Sequence, residues 1–104
     1  MTKLPQKKTF MCAGPDGQKT LEADQLATFA FYVKNIQCRF VVTQLGKFAE
    51  VSVTHRDSGK RVCTIPYMST IAALGDYVVA GKGEIQRLID RVGAEKVLAV
   101  LRAG

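Results

Sequence analysis

From Phe48 to His55 the chain alternates, with Ala49, Val51 and Val53 at one parity and Glu50, Ser52 and Thr54 at the other. Period two with one polar parity predicts a strand in a sheet covered on one face only. Cys38 to Gln44 is rich in β-formers, and Leu45-Gly46-Lys47 can turn the chain between these two segments. Arg56-Asp57-Ser58-Gly59-Lys60 supplies the next turn, and Arg61 to Ile65 reads as a third strand ended by Pro66. The result is a three-stranded antiparallel meander. Thr9 to Ala13 is a candidate fourth strand at the N-terminal side, followed by the turn signal Gly14-Pro15-Asp16-Gly17.

Between that turn and the meander the periodicity changes. Ala23, Leu26, Ala27, Ala30 and Val33 recur at three- and four-residue intervals, and Thr20 can cap a helix with Glu22 and Asp24 in its first turn. Lys34 and Asn35 suit its C-terminus. Phe29, Phe31 and Tyr32 widen the stripe, which burial explains most simply. Beyond Pro66, Ser69 or Thr70 can cap a helix carrying Ile71, Leu74 and Val78, and Gly81-Lys82-Gly83 breaks it. A helix over 84–92 then carries Ile85, Leu88, Ile89 and Val92, and one over 94–102 carries Val97, Leu98 and Leu101. The predicted fold class is α+β: the meander covered by one helix, followed by a C-terminal set of short helices. Residues 1–8 read as a flexible basic arm, and 9–104 as a single domain.

Composition narrows the class. With 104 residues and 47% hydrophobic content, the chain can bury a real core and is not disordered throughout. No run approaches the roughly 18 apolar residues of a membrane span. Lys and Arg total 15 against 9 acids, a net charge of +6. The excess is even, +3 over 1–52 and +3 over 53–104, so no tail carries it. Such a field attracts anionic partners, although charge of this size also serves solubility alone.

Chemistry is sparse. Cys12, Cys38 and Cys63 are an odd, widely spaced set without a CxxC pair, which points to a reducing cytoplasm rather than a disulfide framework. With His55 they make four potential zinc ligands, but the spacing lacks any metal signature, so neither metal nor cofactor is expected. Cys63 can neighbour His55 across two strands, the one thinkable nucleophile–base pair. No GxSxG, HExxH or paired-carboxylate segment accompanies it. Gly81-Lys82-Gly83 has neither the length nor the preceding strand of a P-loop, and Glu84 stands where an anion would sit.

Three nucleic-acid geometries are testable in the sequence. The element order over 20–80 matches a double-stranded-RNA-binding domain, but 69–76 has no lysine cluster to grip phosphates. The last two helices could form a helix-turn-helix, yet Ala99 and Val100 leave the outer face of the second too apolar to read a groove. The third uses the sheet. If Phe40 and Val42 join the core, Arg39, Val41 and Thr43 lie outside with Glu50, Ser52, Thr54 and, in one register, Arg61, while Lys47, Arg56 and Lys60 crowd the hairpin ends. No exposed aromatic platform for base stacking is evident on that face, so backbone contact is the most it supports.

The expectation is a small non-enzymatic binding or regulatory protein that acts by occupancy. Its basic surface contacts nucleic acid or a nucleic-acid-handling complex through Lys7, Lys8, Arg39, Lys47, Arg56, Lys60 and Arg61. The alternative is a protein–protein inhibitor, adaptor or subunit, of the kind phages and mobile elements encode. It would dock through the sheet or the C-terminal helices, in some forms as a homodimer. A cysteine-dependent enzyme with a reactive Cys63 is the third reading.

Overall fold

The computed structural model of the protein describes residues 8–46 and 48–102. Five strands, β1 (Thr9–Ala13), β2 (Lys19–Val33), β3 (Ile36–Gln44), β4 (Val51–His55) and β5 (Arg61–Ile65), precede three helices. These are α1 (Tyr67–Ala72), α2 (Tyr77–Val92) and α3 (Ala94–Arg102). The strands form one antiparallel sheet in chain order, and α2 and α3 cover one of its faces. The α+β class, the β3–β4–β5 meander and the short C-terminal helices follow the sequence reading, and β1 joins the sheet.

The predicted covering helix does not exist: residues 19–33 are the longest strand. In β2, Ala27, Phe29, Phe31 and Val33 share the helix-covered face through their pairing with Val42, Phe40, Cys38 and Ile36. Thr28, Ala30 and Tyr32 take the other face. Apolar residues occur at both parities, and a run of that kind also satisfies a 3.6-residue period. Lys34 and Asn35 do not end a helix. With φ of 50° and 65° they form the two-residue turn of a β2–β3 hairpin, whose positive dihedrals match the twist of the strands.

The sheet is also not open on its second face. Val41, Thr43, Ser52 and Thr54, expected outside, are 1%, 3%, 6% and 1% exposed. Bulges between Cys12 and Ala13, between Gln25 and Ala27, and between Val53 and Thr54 curl the sheet onto itself. The extra residue, Leu26, swaps the parity of β2, so that Leu21, Ala23 and Gln25 lie on the curled face with Cys12, Phe10 and Thr43. The Ala13 N–H donates to the Gly59 carbonyl at 2.8 Å, tying β1 to the β4–β5 turn. Gly59 has φ +74°, and a Cβ there would stand 2.9 Å from the Ala13 nitrogen. Inside the curl the Thr43 and Thr54 hydroxyls satisfy each other at 2.9 Å, as buried polar groups must.

On the other face Phe29, Val33, Phe40, Val42, Val53 and Ile65 pack against Ala80, Ile85, Val97, Leu98 and Leu101. Gly81-Lys82-Gly83 does not break the helix. Gly81 is buried, and a Cβ on it would lie 2.7 Å from Phe29 Cε1, so glycine there lets α2 approach the sheet. The break falls at Leu74 and Gly75, with φ of 54° and 80°. Asp76 then caps α2 by accepting from the Val78 and Val79 N–H groups at 2.9 and 3.2 Å, a cap worth about 0.5–2 kcal/mol. Ile71, in α1, which buries no residue, and Leu74, in the turn beyond it, were expected on one helical stripe and are 48% and 94% exposed. Among the described residues no helix is long and apolar enough to cross a membrane.

Gly81 and Gly83 separate packing from propensity. Gly81→Ala is expected to lose about 1–3 kcal/mol by overpacking Phe29, against its gain in helix propensity. Gly83 faces open space within the same helix, so Gly83→Ala should gain up to about 1 kcal/mol. Urea denaturation of both variants checks the contrast.

Candidate functional site

The curl brings one set of cations together. Arg39 leaves β3 on the curled face, paired across from Ala30, and Arg56 follows β4, its N–H donating to the Arg39 carbonyl at 3.0 Å. Lys19, at the start of β2, reaches the Arg56 carbonyl through Nζ at 3.4 Å. Phe10 projects from β1 between them. Two adjoining clefts result. One of about 620 Å³ is lined by Phe10, Lys19, Gln37, Arg39, Arg56 and Asp57. The other, of about 630 Å³, shares Phe10, Arg39 and Arg56 and continues over Thr28, Ala30 and Val41. Asp57 is the one carboxylate among these lining residues, against three cations. Among the described residues the ion pairs Lys34–Glu95 and Arg87–Glu84 engage none of the three.

The other predicted contacts are dispersed. Lys8 is exposed and shares the parity of Phe10, and its carbonyl accepts from the Gln25 N–H at 2.9 Å, extending the β1 edge. Lys60 is exposed in the β4–β5 turn, where its N–H donates to Ser58 Oγ at 3.2 Å. Arg61 pairs with Thr54 and lines a separate recess of about 480 Å³ with Glu50, Thr43 and Ser52. Lys7 and Lys47, and all of the predicted arm except Lys8, lie outside the described residues. Sequence reasoning missed Lys19, Phe10 and Tyr32. Lys19 sits after a turn signal that concealed a strand start, and Tyr32, 64% exposed, was assigned to a helix.

Of the groups that could do chemistry, Cys12 is buried on the curled face, whereas Cys38, Cys63 and His55 lie on the other parity. Cys63 pairs with Val53 rather than His55. Burial, with Glu84 adding, pushes its thiol up to about 11, opposite to the activation a nucleophile needs. His55 instead shares a recess with Cys38, Asp57 and Ser58. Burial raises the Cys38 thiol as well, and its Sγ–H points to the Ile36 carbonyl at 3.7 Å. The His55 Nδ1 is 2.8 Å from Ser58 Oγ. Among the described residues no three His, Cys, Asp or Glu gather to hold a metal.

No protein-family model, curated protein or solved structure matches the chain, so the functional reading rests on these residues.

Burial lowers the His55 pKa from its usual 6.5, with Lys19 adding and Asp57 opposing. The unfolded chain therefore takes up the proton first. Stability is fully present above about pH 6.5 and falls as pH drops through that value toward the folded pKa. Urea midpoints should decline from pH 7.5 to 5.5, and His55→Gln should flatten that slope.

Proposed function

We propose that this is a small binding protein acting by occupancy, whose curled sheet face holds nucleic-acid phosphates through Lys19, Arg39 and Arg56. The observation that carries the reading is the convergence of these three cations and Phe10 on two adjoining clefts with a single carboxylate. Guanidinium groups suit phosphate because their planar donors bind two oxygens at once. Burial, which raises the thiols of Cys38 and Cys63, supports occupancy over catalysis by either of them. Lys8 extends the same field along the sheet edge. Lys60 and Arg61, outside these clefts, contribute long-range attraction rather than contact.

Phosphate contacts release counterions, so affinity should fall linearly in log–log salt plots, by about 0.7–0.9 in slope per contact. Arg39→Ala and Arg56→Ala should each flatten the slope by about that amount, while Lys82→Ala, on the exposed side of α2, leaves it unchanged. Fluorescence anisotropy with labelled oligonucleotides between 50 and 200 mM salt, roughly the range over which such contacts are felt, measures this. Salt-independent binding rejects the reading.

A second reading, docking to protein through the helices, is favoured by Tyr67, Met68, Ile71 and Leu74, exposed at 77%, 71%, 48% and 94%. If that surface pairs two copies, sedimentation should show concentration-dependent dimers that Leu74→Asp abolishes.

A further inference from the structure

We propose that the ligand of the cationic clefts is single-stranded nucleic acid, one base lying on Phe10 and a neighbour reaching Tyr32. The inference rests on the phosphate-binding reading above and adds which form of the polymer the clefts accept. Two observations carry it. The first is where the aromatic rings stand. Phe29 and Phe40 stack in the core, with ring centroids 5.4 Å apart. Phe10 and Tyr32 are on the opposite, cationic face of the sheet. Phe10 is half-buried and lines both clefts beside Arg39 and Arg56. Tyr32 is 64% exposed and lies across from Gln37, which lines the first cleft. A ring beside guanidinium groups offers a stacking surface flanked by phosphate donors, the combination that single-strand binders use.

The second observation is shape. Both clefts lie against the curled sheet, with Phe10 of β1 on one side and Arg39 and Arg56 on the other lining each of them. With volumes of about 620 and 630 Å³ and wide mouths, they are shallow grooves that a flexible strand can lie along. A duplex keeps its base faces stacked inside and presents phosphates on a broad convex surface, so it cannot offer a ring to Phe10. A single strand can. The small floor residues Thr28, Ala30 and Val41 leave room for a base without dictating which one.

The test uses the full chain with fluorescein-labelled oligo-dT and a duplex of equal length. Oligo-dT should bind at least about tenfold more tightly than the duplex. Phe10→Leu keeps apolar volume but loses the aromatic face, and should weaken oligo-dT binding by about 5- to 150-fold, the range of one lost base stack. Tyr32→Ala should weaken it as well. Neither change should alter the salt slope, which Arg39→Ala does alter. Circular dichroism melting of each variant verifies that it is folded, and a folded Phe10→Leu protein with unchanged affinity overturns the stacking proposal. Equal or tighter duplex binding overturns it also, while leaving the phosphate reading intact. If neither nucleic acid binds at low salt, the phosphate reading itself fails.

Discussion

A strand of fifteen residues is too long to stay flat in a twisted sheet, and the way β2 bends governs everything on the curled face. The extra residue at Leu26 interrupts the ladder between Gln25 and Ala27. Past it, the side chains that face the helices are those of Ala27, Phe29, Phe31 and Val33. Before it, that face carries Glu22 and Asp24 instead, while Leu21, Ala23 and Gln25 turn to the curled side. Without the bulge, Leu21 and Ala23 would lie on the helix side and the curled face would lose its apolar lining. With it, β1 folds over the second face and the Ala13–Gly59 hydrogen bond closes the turn. Phe10 and Lys19 then come to the side of Arg39 and Arg56, residues far from them in sequence.

The two faces are stabilised differently. The helix side is a conventional apolar core, and at Gly81 the helix comes so near the sheet that a Cβ would stand 2.7 Å from Phe29 Cε1. There, a missing side chain does the positioning. The curled side buries hydroxyls, and Thr43 and Thr54 meet so that neither is left unsatisfied, which would cost about 1–3 kcal/mol. An interior that mixes hydroxyls with Cys12, Ala23 and Val41 tolerates water at its mouths better than a wholly apolar one. That suits a face whose ends open into charged clefts.

The meander was legible because its signals agree: turn residues at 56–60, strict alternation over 49–54 and β-branched residues at the pairing positions. Arg39 was correctly placed opposite the Phe40 and Val42 face for the same reason. β2 was not legible. Its apolar residues serve two environments, the helices after Leu26 and the curl before it, and a sequence buried at both parities has no period of two to display. That error propagated to the site. Reading Tyr32 as helical removed the exposed aromatic from the cationic face, and with it the sign that this face could stack bases. Gly81 misled in another way, since a glycine inside a helix looks like a break unless the partner ring is known.

The proposal of binding by occupancy draws on where Cys38 and Cys63 lie relative to the charge. Cationic surroundings are what lower a thiol pKa and ready it for attack. Here Lys19, Arg39 and Arg56 gather on the curled side, whereas Cys38 and Cys63 face the helices, where burial dominates and raises both. The sheet separates the positive field from these two sulfur atoms, while Cys12 is buried on the curled side itself. His55 lies at the boundary, and it too is driven toward its neutral form. For Cys38 the division is fixed by the strand, because adjacent residues of β3, Cys38 and Arg39, must point to opposite faces.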